Sequence, residues 1–501
     1  MNNVMVTLLF PGRHHMLTKY QHSYLKNLIE KGVNGDKVDK LIFAVTSANH
    51  ANTRRNPIPL YLRVLAIEKF SRDLSCEVKI YPIFDVGKTD KFAEYIINQI
   101  FYYGNEKLTP KDTIIVCSTP SVIKLFKKFG FRNLPVELID EQNGEYKTFR
   151  PFEIIDILVN SGNDWKNDKK WKEYASEATQ NVYFEYNLGD LIIELFNDSL
   201  LNEDADITNT RNYKSYAKSM DSNIEFKFND IKPFIVEGKI VDAGCGTGAL
   251  VYLLSKEFKE SDVIGIEVTR KFYEWCKLQE YPSPFVYFYR RNILNQNFKE
   301  NTINTFIYSS VLHEIYSYIN EKELINLLKN TYKQLTKNGR IIIRDVLGPD
   351  KGDSEILMEL NEKNGSVHGD VKNLSTYSRF LRFSKDFKPR KIKFKPVKMN
   401  GKNLIKLKLR DAYEFISKMN YVENWQSEMH EEFGFWDFND WRKVLEKAGF
   451  KIVPGSREFK SDYIIKNHYD GKVILYKPKG KELIRIDYPS TNMILAGEKI
   501  I

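Results

Sequence analysis

Cysteine is scarce in this chain. Only four occur among 501 residues, Cys76, Cys117, Cys245 and Cys276, and no two share a CxxC spacing. That excludes a disulfide framework and a thiolate zinc centre, and it fits a reducing, cytoplasmic compartment. Long hydrophobic runs are missing too. The opening "MNNVMVTLLF" lacks a basic flank and a small-residue cleavage signal and is far shorter than a bilayer span, so it predicts a buried strand and no membrane association. There is no internal repeat and no low-complexity segment. What is present is 42% hydrophobic residues, enough for cores in two or more domains, and a formal charge of +10, which favours anionic partners.

Apolar strand candidates alternate with helical stretches in two separate blocks, predicting an α/β protein with two doubly wound parallel-sheet domains. The first block covers residues 1–170. A polar stretch at 171–235 reads as a helical linker or cap; within it "NVYFEYNLGDLIIELF" suits helix or strand and "NEDADITNTRN" a loop. The second block covers 236–501, with an insertion at about 361–410. In such sheets ligands bind at the carboxyl ends of the strands, where the polar exceptions in these segments fall.

The second block opens with "IVDAGCGTGAL", a strand, then Asp242, Gly244, Gly246 and Gly248, then a helix. Glycines let the chain turn tightly and bring backbone amides close to a ligand at a helix N-terminus. The next strand ends in Glu267, an acid able to accept from both hydroxyls of a ribose. Together with "YRRNIL", "YSSVLHEI" and "NGRIIIRDV", these segments resemble the ordered motifs of class I S-adenosylmethionine-dependent methyltransferases over at least 238–347. The resemblance implies that Asp242, Gly244, Gly246 and Gly248 line the cofactor site, with Gly244 and Gly246 under its methionine part, and that Glu267 holds the ribose. Asn292 and Ile293 fall where the family usually has an acid near the adenine amino group. Ser309, Ser310, His313 and Glu314 then face the methyl group. His313 with Glu314 reads either as a general base or as a pair that caps the helix while the enzyme works by positioning.

For the acceptor side, Arg344 and Asp345 end an apolar strand and are expected at the rim of the cleft, orienting the acceptor or locking the loop. "RKIKFKPVKM", Asn400-Gly401 and "NLIKLKLR" predict a hairpin with Lys391, Lys393 and Lys395 on one face. It reads as a basic flap over the cleft that holds a phosphate, or as a solvated strand face. Trp425, Trp436 and Trp441 suit base stacking or a core. Glu428, His430, Glu431 and Glu432 read better as a solvated helix terminus than as metal ligands, and no metal site is expected.

The first block resembles the HxGH nucleotidyltransferases, most nearly the nicotinamide-mononucleotide adenylyltransferase type. Gly12 and Arg13 fit its turn and Thr18 its first His/Thr position; Tyr20 stands in the place of the glycine and Gln21 in that of the last histidine, with His22 one residue late. Glycine makes room for the nucleotide and histidine stabilises charge on the reacting phosphate, so Tyr20 and Gln21 depart in a way that matters. His22 by a one-residue slip, or His14 or His15, is the expected substitute. Asn56, Pro57 and Arg63 match the Asn-Pro and helix arginine of the family, whereas Thr148 and Arg150 offer its late motif at the wrong spacing. The resemblance implies a nucleoside triphosphate with Mg2+, bound at Gly12, Arg13, His15, Asn56 and Arg63, and either transferred or only held.

The leading reading is therefore methyl transfer from S-adenosylmethionine to a phosphate-bearing, nucleotide-like metabolite, with a nucleotide-binding domain fused in front. The alternatives are an RNA methyltransferase whose first domain holds the substrate, and a non-enzymatic ligand sensor or scaffold.

Overall fold

The structure, a computed structural model, describes residues 5–86, 89–140, 145–198, 201, 223–480 and 482–500. It divides into two compact units, Met1–Glu203 and Asp204–Ile501. The expected loop "NEDADITNTRN" lies outside the described residues. Among the described residues no helix is long and apolar enough to cross a membrane.

In the first unit, β1 (Met5–Gly12), β2 (Lys37–Thr46), β3 (Glu77–Ile83), β4 (Thr113–Val116) and β5 (Arg132–Leu134) form a parallel sheet in the order β3-β2-β1-β4-β5, with a small hairpin of β6 (Leu138–Asp140) and β7 (Glu145–Tyr146) beside it. Helices cover both faces, so β1, β2 and β4 are apolar in consecutive positions rather than alternately. Of the stretch read as a helical linker or cap, residues 171–197 follow the cap reading. They form helices packed on the first unit, where Trp171, Val182, Tyr183 and Ile192 join its core and the Tyr183 hydroxyl donates to the carbonyl of His15 at 2.7 Å. The ambiguous segment is two helices, Glu177–Glu185 and Leu188–Asn197, because its apolar residues repeat at helical spacing against that core.

The second unit is built on β8 (Lys239–Ala243), β9 (Asp262–Glu267), β10 (Val286–Arg290), β11 (Ile303–Ser309) and β12 (Leu335–Asp345), all parallel in the order β10-β9-β8-β11-β12. Three further groups of strands follow: β13 (Glu355–Leu360), β14 (Phe394–Met399) and β15 (Lys402–Lys408), then β16 (Lys451–Ile452) and β17 (Arg457–Phe459), then β18 (Val473–Lys479), β19 (Glu482–Ile486) and β20 (Asn492–Glu498). β20 runs antiparallel beside β12, and β16 and β17 pair with it.

The insertion is larger than the sequence pattern implies. The hairpin forms as expected, with Asn400 and Gly401 both at positive φ, the backbone that a two-residue turn of this twist requires. It is not a flap, however. β14 and β15 belong to a five-stranded antiparallel sheet, β14-β15-β13-β18-β19, drawn from two separate stretches of chain. That sheet has its own core, in which the Phe380 and Phe383 rings meet Phe415 at 5.2 and 5.5 Å. A hairpin edge with a buried apolar face would be unstable alone, and the sheet is what covers it.

Candidate functional site

The chain leaves β8 through Gly244, Gly246 and Gly248, all at positive φ. A side chain at Gly244 would put its Cβ 2.8 Å from Val311, so the turn passes too close to the neighbouring loop for any other residue. The amides of Gly244 and Cys245 donate to the carbonyl of Ile266 at 2.9 and 3.0 Å. Glu267, buried at the end of β9, accepts from the amide of Gly246 at 2.9 Å and from that of Thr269 at 2.7 Å. Burial raises the pKa of its carboxyl, an effect these donors oppose. A carboxylate offers about four acceptor sites, so the two amides and the Thr269 hydroxyl leave room for the ribose role expected of Glu267.

Beside the turn lies a small recess, lined among others by Lys227, Asp242, Gly244, Thr247 and Ser309. The Ser309 hydroxyl is buried without a hydrogen-bond partner in the protein. Asp242 is pushed up to about 7 by burial, with Lys227 pulling it down and Glu267 pushing it further up. An orphaned hydroxyl, an acid and a cation around one recess suit the polar end of a small ligand, so these residues fit the expected cofactor. Asn292 instead turns its oxygen onto its own loop, accepting from the Leu294 amide at 3.0 Å, and Ile293 packs on the core.

His313 and Glu314 open the helix Leu312–Tyr318 after β11 and are buried. Asp345, fully buried, accepts from His313 Nδ1 at 2.6 Å and from the amides of Leu312 at 2.9 Å and Val346 at 2.8 Å. Glu431 stands 3.5 Å from His313 Nε2. Burial alone would lower the histidine's pKa, but Asp345 and then Glu431 raise it well above the usual value; the histidine in turn holds Asp345 below its own. An imidazolium between two carboxylates has no lone pair to accept a proton. Of the two readings of His313, this geometry supports the positioning one, since Asp345 and Glu431 face its two ring nitrogens. Asp345 is not at the rim but buried, and the cost of burial is offset by its donors.

Glu431 reaches this position through the inserted sheet. Glu414, buried, accepts from the amides of Gly434 at 2.6 Å and Phe433 at 3.2 Å and pairs with buried Lys418. Arg390 bonds Asp411 at 3.0 Å and also Glu432. Glu428 and Glu431 are thus buried rather than at a solvated terminus, while His430 is exposed. Trp425, Trp436 and Trp441 are buried in cores. No sequence signal pointed to the pairing of Glu431 with His313, because the approach crosses more than a hundred residues of chain.

Arg344 is buried and bonded to Asp230 at 2.9 Å, tying the helix Ile224–Ile231 to β12. Lys391, Lys393 and Lys395 are exposed, on the side opposite Ile392 and Phe394. Their near end is close to this pairing, since Arg390 bonds Glu432, next to Glu431. The hairpin tip is several residues farther along, at about 3.3 Å per residue.

In the first unit, Thr18 caps the helix Lys19–Lys31, accepting from the Gln21 amide at 3.0 Å, while the Gln21 side chain accepts from the Thr18 amide at 3.1 Å. Gln21 Nε2 then donates to the buried carboxylate of Glu137 at 2.8 Å. The residue standing in for a catalytic histidine is thus committed to a cap and an internal acid. His22 faces elsewhere. It bonds Asp73 at 2.8 Å and packs on Phe70, the last residue of the helix Leu60–Phe70, seven residues and about 10 Å from Arg63. The one-residue slip is therefore corrected. Arg63 is fully buried and donates to the carbonyls of Arg13 at 3.1 Å, Thr46 at 2.9 Å and Ser47 at 2.9 Å. Burial and the charge of Arg13 lower it to about 10. It staples the end of β2 to the chain just after β1. His14 packs on Phe43 with Nε2 3.1 Å from the Phe10 carbonyl and is lowered by burial to about 3. His15 lies 3.4 Å from the Asn56 side chain, is also lowered by burial, and leaves Nδ1 without a partner. A side chain on Gly12 would crowd His14 at 3.0 Å. Arg150 pairs with Glu153 on the surface. His15 and Asn56 are neighbours, whereas His22 points to Asp73.

Residues 241–343 match the family model described as "Methyltransferase domain". The strand order, with its antiparallel last strand, is the class I methyltransferase topology carrying an additional inserted sheet, and the second unit contains a methyltransferase domain. The chain is also similar to a nicotinamide-nucleotide adenylyltransferase of Archaeoglobus fulgidus, 26% identical over 182 residues, 35% of this chain and 89% of that protein. A second such enzyme, from Saccharolobus solfataricus, is 26% identical over 125 residues, 25% of this chain and 65% of that protein. Among solved structures, a methyltransferase dependent on S-adenosylmethionine from Mesorhizobium loti resembles 56% of this chain and 100% of its own, at 12% identity and a TM-score of 0.34. One from Listeria monocytogenes, 13% identical, resembles 56% and 98% with a TM-score of 0.31.

Proposed function

We propose that the second unit binds S-adenosylmethionine and transfers its methyl group to a phosphate-bearing, nucleotide-like acceptor. The observation that carries this reading is the Gly246–Glu267 bond, which fixes a glycine turn and an acid side by side at the ends of β8 and β9, beside a polar recess. The cofactor would supply an electrophilic methyl group. Glu267 would hold the ribose hydroxyls, and the glycine turn would let the backbone approach the ligand. His313, held between Asp345 and Glu431, would fix the helix Leu312–Tyr318 against which the acceptor lies. Alignment would supply the rate, and Glu314 would be a carboxylate available for a departing proton. The exposed Lys391, Lys393 and Lys395 would meet a phosphate outside the recess.

The first unit, in this reading, binds a nucleotide-like ligand with its magnesium near Gly12, Arg13, His15 and Asn56 and transfers no nucleotidyl group. Its support is the commitment of Gln21 to Glu137 and of Arg63 to three carbonyls. The similar archaeal proteins are adenylyltransferases of a nicotinamide nucleotide, which favours a mononucleotide over RNA as the molecule both units handle.

The test is incubation with labelled S-adenosylmethionine and two cell-extract fractions, small molecules and total RNA, with and without nuclease. Label in a small phosphorylated compound is the expected result. Label confined to nuclease-sensitive polymer would replace the metabolite by RNA, and a folded protein that binds no S-adenosylmethionine would leave the sensor or scaffold reading. Pyrophosphate release from any triphosphate and mononucleotide pair would overturn the non-transferring assignment of the first unit.

A further inference from the structure

In the first unit the loop after β1 is fastened from several sides. His14 stands at a φ of 52°, with its ring Nε2 3.1 Å from the carbonyl of Phe10. Arg63 donates to the carbonyl of Arg13 at 3.1 Å and the Tyr183 hydroxyl to that of His15 at 2.7 Å. The Thr179 hydroxyl accepts from the amide of Leu17 at 3.1 Å and donates to its carbonyl at 2.9 Å. Inside this frame one polar atom is left over. Nδ1 of His15, on a residue only 9% exposed, has no hydrogen-bond partner in the protein.

The character of that nitrogen follows from the other one. His15 Nε2 faces the Asn56 Oδ1 at 3.4 Å, and a carbonyl oxygen only accepts, so the ring proton is on Nε2 and Nδ1 presents a bare lone pair. A second proton is opposed first by burial and then by the charge of Arg63. A lone pair repels phosphate oxygens, which are acceptors too, and magnesium takes oxygen ligands by preference. What Nδ1 fits is a neutral donor, and a buried acceptor left without one costs free energy.

We infer that His15 reads the nucleoside part of the nucleotide bound by the first unit, accepting at Nδ1 from a hydroxyl or amino group of the ligand and taking no part in holding its phosphates. This rests on the nucleotide reading of that unit. His15 is then a specificity residue that separates a nucleotide from its bare polyphosphate. Because the loop is fastened within the protein, the lone pair is in place before the ligand arrives.

The experiment is calorimetric titration of the full chain, with magnesium present, using adenosine triphosphate and inorganic tripolyphosphate. His15→Phe keeps a ring and removes both nitrogens. It should weaken adenosine triphosphate about three- to tenfold, the range of one neutral hydrogen bond, and leave tripolyphosphate within about twofold. His15→Gln, which keeps an acceptor oxygen, should recover most of the loss. Inosine triphosphate and 2′-deoxyadenosine triphosphate locate the donor, since an analogue that lacks it is indifferent to His15→Phe; if neither is indifferent, the donor is the 3′-hydroxyl. Retained tripolyphosphate binding demonstrates that the variant is folded, and His15→Leu replaces His15→Phe if the larger ring does not fit. Equal losses for adenosine triphosphate and tripolyphosphate in a variant that keeps the parent's thermal transitions overturn the assignment. A loss for neither overturns it too and leaves Nδ1 to a bound water. If the unaltered protein binds none of these ligands, the nucleotide reading of the first unit itself fails and this inference falls with it.

Discussion

His313 Nδ1 lies 2.6 Å from Asp345 Oδ1, at the junction of β12 and the helix Leu312–Tyr318, with neither group open to solvent. Glu431 faces the other ring nitrogen at 3.5 Å, and the two carboxylates favour the charged imidazole. His313→Ala would leave two buried carboxylates without their cation and is expected to lower stability by about 3–5 kcal/mol, measured by chemical denaturation of the full chain. The sign with pH follows from the two shifts. The histidine's raised pKa means its contribution is complete below about 6.5 and is lost only as pH rises through the higher folded value. Asp345, held low, contributes above its unfolded value and loses that contribution as pH falls through the lower folded one. Titrations of stability that fall near pH 6 through His313 would contradict this pairing.

Cofactor affinity depends on Glu267 through two routes, contact with the ligand and support of the Gly246 amide. Glu267→Ala removes both and should weaken S-adenosylmethionine by roughly 1–3 kcal/mol, while Glu267→Gln keeps an acceptor oxygen and loses less. Calorimetry on both variants distinguishes charge from shape.

Asp242 sets a pH dependence for binding. Burial holds its folded value at about 7, with Lys227 opposing and Glu267 adding to the rise. A raised carboxyl value means the fold is most stable below the unfolded value and loses that advantage as pH climbs towards 7. A bound ammonium favours the ionised form, so affinity for S-adenosylmethionine should increase as pH rises through about 7. Affinity for 5′-methylthioadenosine, which lacks the amino-acid end, should not, and Asp242→Asn should flatten the profile.

Gln21→Ala would strand the buried carboxylate of Glu137 and one half of a capping box. The expected cost is about 1–3 kcal/mol to the first unit, read as an earlier first transition in thermal unfolding.

Reversing the charge of Lys391, Lys393 and Lys395 should raise the KM for the acceptor and leave S-adenosylmethionine affinity unchanged. All three are exposed, so stability should move by no more than about 0.5 kcal/mol per substitution. An unchanged KM would return these lysines to a solvated strand face.

The parallel strands and the glycine turn were legible in the chain because each depends on neighbours within a few residues: apolar runs for β8 to β12, and positive φ at Gly244, Gly246 and Gly248. The Asn400-Gly401 turn was legible for the same reason. Which groups are free to act was not. Gln21, Arg63, His313 and Arg344 look like site residues by position, yet each is bonded to a partner distant in sequence: Glu137, the strand-end carbonyls, Asp345 with Glu431, and Asp230. The inserted sheet was hidden likewise, since β13 to β15 and β18 to β19 are separated by the helix and short strands at 438–459 that belong to the other sheet. Local pattern decides backbone conformation, because backbone preference is set by adjacent atoms. Protonation and availability depend on burial and on opposing charges brought up by folding, and for those only the tertiary structure decides.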